Sequence, residues 1–396
     1  MKTAKGYVLK CLSGQYYIVP SGQRIADRGR CLKINETGSI IWKYLENDVS
    51  WEELLSYGES VFGTQGVSKE QLEQDLSCFL QNLKNCGMIE QQNSDETSSC
   101  TKNYEIAGFH IIYSGKEKWI HSYLNSFEKK QNKNLCEKET QHWHVRGLSE
   151  IENYEGKLIL FGRQMDIYQC SDAYILRFHM NLHLVMCKIS ADGKEAVFYY
   201  DGSDSVEGTD ELFYGMRAAF LYFSALHKRY ALHSSSICYS NKAWLFSAAS
   251  GTGKSTHTEL WQKLFKIQLI NGDINLCGME NGQAYVYGIP WCGTSKVYDT
   301  SKYPLGGIIL LKRADSDYVQ ELSEDEKQLL VSQRLISPSW DCKQLDNNLE
   351  FAAGLAAKTV ICRLCCTPND RAAVEMKKYI DKVIMKAGEY EQETAD

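Results

Sequence analysis

The segment 243–264 constrains the fold of this chain more than any other stretch. Four apolar residues, 243–246, have the pattern of a buried strand, and a glycine-containing turn, 247–253, follows them. A Lys-Ser-Thr sequence then opens a stretch with helical character, 254–264. Strand, glycine-rich turn, Lys-Ser/Thr and helix is the order of a phosphate-binding P-loop. We therefore predict an α/β fold that binds a nucleotide.

The P-loop segment, residues 247–256, predicts the ligands of that nucleotide. Lys254 is expected to reach the β- and γ-phosphates, and the Ser255 hydroxyl is expected to bind Mg²⁺. The predicted cofactors are thus ATP, or another nucleoside triphosphate, and Mg²⁺. Ala248 replaces the first glycine of the pattern, and the alternative is a glycine-rich turn without a ligand. The predicted cofactor-binding residues are Ser250, Gly251, Thr252, Gly253, Lys254, Ser255 and Thr256.

A P-loop needs a carboxylate that holds the metal or activates the nucleophile. The next apolar run ends in Asn271-Gly272-Asp273. A strand that ends there would deliver a carboxylate beside the loop, so Asp273 is the predicted metal ligand and catalytic carboxylate. The alternative is a turn aspartate in an Asn-Gly-Asp bend.

Composition narrows the function classes. The chain has 396 residues, 43% hydrophobic and 24% charged residues and a net charge of −6. This size predicts two or three domains, and the acidic balance argues against nucleic-acid binding. No apolar run approaches the roughly 20 residues of a membrane span, and the first residues lack the pattern of a signal peptide. We expect a soluble, cytoplasmic protein without nucleic-acid or membrane partners.

Cysteine and histidine groupings are weak metal signals in this sequence. The 15 cysteines are scattered, and we expect buried thiols in a reducing cytosol. The one close grouping, Cys362, Cys365 and Cys366, follows an apolar strand pattern and is interpreted as structural. His142 and His144 form a His-x-His pair with no obvious acidic or cysteine partner. A surface loop is the favoured interpretation of that pair.

The first 90 residues predict a small unit of three strands and three helices. The strands are expected at 5–10, 16–20 and 30–34. A helix follows from 35, a capping box at Ser50 predicts a second helix, and a similar signal at Ser68 predicts a third. The result is a β3-α3, winged-helix-like domain.

Residues 32–35, 37–42, 49–54 and 83–89 carry a pattern that covers this whole unit. The pattern resembles that of the PqqD-like family, whose domains recognise leader peptides of ribosomally made, modified peptides. The resemblance implies that a leader adds as a strand to the third strand and packs on the third helix. A winged-helix-like packing module is the alternative. The implied leader-binding residues are Cys31, Leu32, Lys33, Ile34, Leu72, Asp75, Leu76 and Phe79.

The remaining chain divides into a linker and a kinase-like region. Residues 91–103 are polar and predict a linker after the domain at 1–90. Residues 104–230 alternate short apolar strands with turns before a helix at 211–227, and residues 231–396 hold the P-loop core and a C-terminal helix.

Residues 232–237, a turn at 241–242, the P-loop segment and residues 271–273 form one combined pattern. It resembles that of the HPr kinase/phosphorylase family over roughly 104–385. The resemblance implies a mixed α/β P-loop fold, an oligomer, and phosphoryl transfer from a nucleotide to a Ser or Thr hydroxyl. It also implies that His233 lies close to the reacting groups. Asp273 matches the second member of the family's acidic pair, whereas Gly272 stands where the first would be.

The catalytic prediction therefore names Asp273, His233 and Lys254. His233 is a candidate base, and a core histidine at a strand end is the alternative. The glycine-bracketed aromatic loop 287–296 suits a lid or acceptor contact through Trp291 and Lys296. An ordinary loop after a strand is the alternative there.

Three functional hypotheses remain open from the sequence. The first is a two-domain kinase that captures a precursor peptide through its leader and phosphorylates a core Ser or Thr. The second is a nucleotide-binding scaffold that presents the precursor to another maturation enzyme. The third is a metabolite kinase with an N-terminal regulatory domain.

Overall fold

The computed structural model describes the chain as two compact units, Met1–Thr97 and Ser98–Asp396. Both contain helices and sheets, so the predicted mixed α/β class is confirmed. None of the helices in the described residues combines the length and apolar character of a membrane span. The described residues are 1–22, 31–63, 68–86, 88–90, 99–129, 139–249 and 252–393.

The first unit has three helices and two small sheets. Strands β2, β3 and β4 form an antiparallel sheet in that order, and β1 pairs with β5 in a second one. The elements are β1 Lys2–Thr3, β2 Tyr7–Leu12, β3 Gln15–Pro20, β4 Leu32–Ile34, α1 Glu36–Tyr44, α2 Trp51–Phe62, α3 Lys69–Asn85 and β5 Ile89–Glu90.

Local signals explain why the helices of this unit begin where they do. Glu53 N donates to Ser50 Oγ at 3.1 Å, and Ser50 N donates to Glu53 Oε2 at 2.7 Å, which completes the predicted capping box. Gln71 N donates to Ser68 Oγ at 3.2 Å at the start of α3. The core collects apolar side chains of all three helices, with Trp42 among the most buried.

The second unit begins with an eight-stranded sheet in the order β6-β7-β8-β13-β12-β11-β10-β9. Helix α4, Val206–Leu226, packs its apolar face into the same core as this sheet. The strands are β6 Cys100–Ile106, β7 Phe109–Gly115, β8 Thr140–Gly147, β9 Lys157–Phe161, β10 Met165–Gln169, β11 Ala173–Phe178, β12 Leu184–Ser190 and β13 Glu195–Tyr200.

Several expectations for this region are corrected. The apolar stretch from Ile106 to Tyr113 has the sequence pattern of one short strand, but a two-residue turn at Ala107 and Gly108 interrupts it, with φ angles of 53° and 82° that are those of a type I′ hairpin. Strand β6 begins at Cys100, inside the predicted linker 91–103. Helix α4 begins at Val206, before the predicted Glu211, because Ser205 caps it.

A second, nine-stranded sheet follows in the second unit. Its main path is β14-β18-β19-β20-β16-β15-β17, and β22 joins at β20 with β21 beyond it. The predicted boundary between residues 230 and 231 lies inside β14. The strands are β14 Arg229–His233, β15 Ser235–Tyr239, β16 Lys242–Ser247, β17 Gln268–Asn271, β18 Ile274–Glu280, β19 Gln283–Tyr287, β20 Lys302–Arg313, β21 Tyr318–Glu321 and β22 Val360–Cys366.

Four further helices belong to this part of the unit. Helices α5 and α8 contribute to one apolar core with β16 and β22, and α7 contributes to a second. Cys362, Cys365 and Cys366 are buried free thiols in β22. The helices are α5 Lys254–Phe265, α6 Glu324–Ser332, α7 Cys342–Lys358 and α8 Asp370–Glu393.

His257, one turn into α5, should make the stability of the protein depend on pH. Burial lowers the pKa of His257 to about 4, against an opposing effect of Asp317. The unfolded chain, with a histidine pKa near 6.5, binds the proton more tightly, so stability is lost as pH falls from about 6.5 to about 4. The expected loss is about 3 kcal/mol.

Urea unfolding of wild type and His257→Gln at pH 7 and pH 4.5 would measure this contribution. The variant keeps an acceptor for Trp261 Nε1, which donates to His257 Nε2 at 3.2 Å. We expect a smaller loss of unfolding free energy on acidification in the variant. An equal loss in both proteins would contradict the prediction.

Candidate functional site

Three strand and helix ends bring the predicted catalytic residues together. His233 is the last residue of β14, Lys254 is the first residue of α5, and Asp273 follows the end of β17. Strand β14 pairs with β18, which begins directly after Asp273. These neighbouring ends explain how residues far apart in sequence meet.

The three side chains form a continuous polar chain. Lys254 Nζ lies 2.8 Å from His233 Nε2, and His233 Nδ1 lies 3.4 Å from Asp273 Oδ1. The ammonium can only donate, so Nε2 is the acceptor and Nδ1 carries the proton that faces Asp273. Histidine is thereby held in one tautomer between a cation and a carboxylate.

The electrostatics around Lys254, His233 and Asp273 favour a neutral His233 imidazole. Burial and the Lys254 charge lower the pKa of His233, and Asp273 opposes them. Burial also lowers the pKa of Lys254, again with Asp273 in opposition. A neutral histidine with one free lone pair can accept a proton near neutral pH once the lysine binds elsewhere.

Backbone and amide contacts hold these residues in place. Ser247 Oγ donates to His233 O at 2.7 Å, and Ser234 N donates to Asp273 O at 3.0 Å. Asn271 Oδ1 accepts from Asp273 N at 2.9 Å. The Asn-Gly-Asp bend of the alternative interpretation is therefore present, and it orients Asp273 toward His233 rather than away from it.

Two arginines that act on Lys254, His233 and Asp273 are not predicted by any pattern in the sequence. Arg334 lowers the pKa of both Lys254 and His233, and its backbone O accepts from His233 N at 2.8 Å. Its Nε is buried and has no hydrogen-bond partner among the described residues. Burial lowers the pKa of Arg217 on α4, and Asp273 opposes this shift. Lys254 and the two arginines leave a surplus of positive charge suited to an anion.

The loop after β19 reaches Asp273 and explains Gly272. A Cβ added to Gly293 would lie 2.9 Å from Asp273 Oδ2, so this loop passes directly over the carboxylate. A Cβ at Gly272 would overlap Oγ and Cβ of Ser295. Ser295 in turn donates to Cys292 O at 2.6 Å. The space in which an acidic side chain at 272 would begin is thus filled by Ser295.

Replacing Gly272 by alanine should destabilise the protein by about 1–3 kcal/mol, as overpacking does. Gly272→Ala/Ser295→Gly should recover part of the loss. Gly354→Ala is the control, because no atom outside its own helix lies within 4 Å of the added Cβ. Thermal or urea unfolding measures all three, and a Gly272→Ala variant as stable as Gly354→Ala would contradict the steric account.

The two predicted lid residues, Trp291 and Lys296, differ in their exposure to solvent. Trp291 is 0% exposed. Its Nε1 donates to Phe213 O at 3.0 Å and its ring stacks on Phe213. As a core residue it is not free to contact an acceptor, which corrects that prediction. Lys296 is exposed and has a left-handed backbone, and its role as a phosphate ligand stays a prediction.

The structure describes residues 247–249 and 252–256 of the P-loop segment. Ser250 and Gly251 lie outside the described residues. Gly253 has a φ of 111°, a conformation that favours glycine, and precedes α5 as its N-cap. Ser255 and Thr256 are exposed in the first turn of α5. The oxygen donors of Ser255 and Asp273 are of the kind that Mg²⁺ prefers.

The predicted leader-binding residues are divided between core and surface. Strand β4 ends the order of its sheet, and no described strand pairs with its other edge. The core residues are Ile34, Leu72 and Leu76, and the residues with exposed surface are Cys31, Leu32, Lys33, Asp75 and Phe79.

Residues 25–89 match the family model described as Coenzyme PQQ synthesis protein D (PqqD). The match lies within the first unit and supports a peptide-recognition role in the maturation of ribosomally made peptides. No curated protein matches the chain.

Among solved structures, one similar chain is the Hpr(Ser) kinase/phosphatase from Coxiella burnetii. The identity is 10%, the match covers 42% of this chain and 96% of the other, and the TM-score is 0.27. A TM-score this low supports no conclusion about the fold or the chemistry. The comparisons therefore identify a PqqD-like segment in the first unit, and the chemistry of the second unit has to be inferred from its own side chains.

Proposed function

We propose that the protein is an ATP- and Mg²⁺-dependent kinase that phosphorylates a Ser or Thr hydroxyl of a ribosomally made precursor peptide. The observation that carries the proposal is the chain Lys254–His233–Asp273 at the start of α5, with its surplus of cationic side chains. The P-loop sequence supports the binding of a nucleotide, and the PqqD-like segment supports a peptide as the class of substrate.

The proposed chemistry follows from the side-chain atoms of Lys254, His233 and Asp273. The acceptor oxygen attacks the γ-phosphorus, the bond to the bridging β,γ-oxygen breaks, and the hydroxyl proton passes to His233 Nε2. Lys254 leaves Nε2 to bind phosphate oxygens, as its position at the helix N-terminus favours. Asp273 Oδ1 stabilises the imidazolium that forms. Mg²⁺, when bound, would neutralise charge on the phosphates.

Leader recognition would use the edge of β4 that pairs with no described strand, and the exposed part of α3. Main-chain pairing with β4 would provide affinity, and apolar side chains such as Leu32 and Phe79 would provide selectivity. A captured leader also holds the core peptide near the kinase-like unit at high effective concentration.

Incubation of the protein with a precursor peptide, ATP and Mg²⁺ tests the proposal by mass spectrometry. We expect a mass gain of one phosphate on a Ser or Thr and little gain on the same peptide without its leader. Phe79→Ala should weaken leader binding about tenfold or more, whereas Ser77→Ala on the same helix should not. Unmodified peptide despite tight leader binding would overturn the kinase assignment.

A nucleotide-binding scaffold is the second candidate. Two observations favour it, because Ala248 replaces the first P-loop glycine and Ser295 fills the space beside Gly272. Nucleotide and leader binding without phosphate transfer would support this function. Turnover of small molecules that does not depend on a leader would instead support a metabolite kinase.

The setting of the reaction follows from its chemistry. ATP is a cytoplasmic reagent, and the cysteines of the described residues are free thiols, as in a reducing compartment. We infer a cytoplasmic setting, with the precursor peptide as the main partner. A homo-oligomer and contacts with other maturation enzymes remain predictions.

A further inference from the structure

Two histidines and a glutamate lie together on one face of the eight-stranded sheet. His142 and His144 alternate along β8, so both project from the same side of the strand. Trp143 between them is buried on the other side. Glu195 begins β13, which runs parallel to β8 and pairs Glu195 with His142. This placement corrects the interpretation of the His-x-His pair as a loop without an acidic partner.

The donor atoms of the three side chains are close. His144 Nε2 lies 2.9 Å from Glu195 Oε2, and the two imidazole rings are nearly parallel with centroids 6.1 Å apart. One donor atom from each residue lies within 4.8 Å of the others. Ligands at about 2.0–2.2 Å from a tetrahedral metal are separated by about 3.3–3.6 Å. Small side-chain rotations would bring the set to that spacing.

We propose that His142, His144 and Glu195 bind a divalent transition metal, with Zn²⁺ as the expected occupant. Two imidazoles and one carboxylate are a common Zn²⁺ ligand set, and water would complete the coordination. Mg²⁺ is not expected here, because it prefers an all-oxygen octahedral shell. The site lies on β8 and β13 of the eight-stranded sheet, whereas His233 and Asp273 lie at strand ends of the nine-stranded sheet, and it does not depend on the proposed kinase activity.

The second imidazole distinguishes this cluster from ordinary ion pairs. His179–Asp166 at 2.9 Å and His183–Asp201 at 2.8 Å each combine one histidine with one carboxylate. Among the described residues, only the cluster on β8 and β13 brings three donors of this kind into mutual reach. A single exposed ion pair would need only His144 and Glu195.

The strand that carries the histidines is held rigidly. Trp143 Nε1 donates to Gln141 Oε1 at 2.8 Å, and Gln141 Nε2 donates to Gly193 O at 2.7 Å. His142 N donates to Lys194 O at 2.7 Å. These bonds tie β8 to the residues just before β13, so the backbone that carries the ligands is held in place. A bound metal would add a further link between the two strands.

Titration of the full chain with Zn²⁺, without nucleotide, tests the proposal by calorimetry and thermal unfolding. We expect one saturable site, a raised melting temperature, and weaker binding at acidic pH because the imidazoles must be neutral. Removal of a residue that only hydrogen-bonds to a metal ligand already lowers metal affinity about 10–100-fold, so His144→Ala and His142→Ala should each lower it at least as much. His179→Ala is the matched control and should bind like wild type.

Co²⁺ substitution identifies the ligands independently of affinity. A tetrahedral N/O site should give visible bands without a thiolate charge-transfer band, and the bands should be lost in His142→Ala/His144→Ala. A thiolate band that survives in the double variant would place the metal on cysteines and overturn the proposal. So would the absence of saturable binding, or equal affinity in wild type and double variant.

Discussion

Lys254→Ala should abolish phosphate transfer to a precursor peptide and leave leader binding unchanged. The ammonium lies at the first position of α5 and is the one P-loop cation expected to reach the β- and γ-phosphates. Loss of a preorganised charge at a developing anion costs about 10²–10³-fold in rate or more. Peptide mass gain measures transfer, and titration of a labelled leader peptide measures binding.

Lys263→Ala provides the control on the same helix. Lys263 is exposed and pairs with Asp370 at 3.4 Å, an ion pair worth little at the surface. We expect wild-type transfer from this variant. Normal transfer by Lys254→Ala would contradict the proposed function, whereas equal losses in both variants would indicate damage to α5 rather than loss of a phosphate ligand.

Asp273→Asn should lower transfer by about 10²–10⁴-fold, because acid–base catalysis by His233 would lose the carboxylate that stabilises its imidazolium. The amide keeps the size of the side chain but loses the charge that faces His233 at 3.4 Å and that would serve as the proposed Mg²⁺ ligand. Steady-state rates at saturating ATP and peptide measure the effect. Asp346→Asn on the exposed face of α7 should be unaffected, and similar rates in the two variants would contradict the assignment.

The pH profile separates His233 from Asp273 as the base. The pKa of His233 is lowered by burial and by Lys254, so transfer should decline only below the usual histidine pKa of about 6.5. His233→Gln should remove this acidic limb along with most of the activity. An acidic limb that persists in His233→Gln would assign proton removal to another group, with Asp273 the nearest candidate.

Local patterns predicted the elements whose start is set by neighbouring residues. The capping box at Ser50, the strand before the P-loop segment and the start of α5 at Lys254 are examples. The hairpin at Ala107 and Gly108 was missed, because apolar residues continue on both sides of the turn. The start of α4 was missed for a related reason, since Ser205 precedes a polar first turn that hides the helical period.

The candidate site was predicted only where its residues lie in or near the P-loop pattern. Lys254 could be named from the P-loop pattern, Asp273 from the end of the strand that follows it, and His233 from the resemblance to the HPr kinase/phosphorylase family. Arg217 and Arg334 could not, because each lies on a helix or turn whose neighbours depend on the whole fold. Trp291 was misassigned since an aromatic residue in a glycine-bracketed loop has the same local pattern in a core and at a surface.

Pairing between β1 and β5 has a consequence for peptide capture. Lys2 and Thr3 hold Ile89 and Glu90, and Met88, which is fully buried, anchors the chain just before them. These contacts therefore fix the end of the first unit without any contribution from β4. The edge of β4 that pairs with no described strand belongs to a different sheet, so a peptide strand could pair there without displacing β1 from β5.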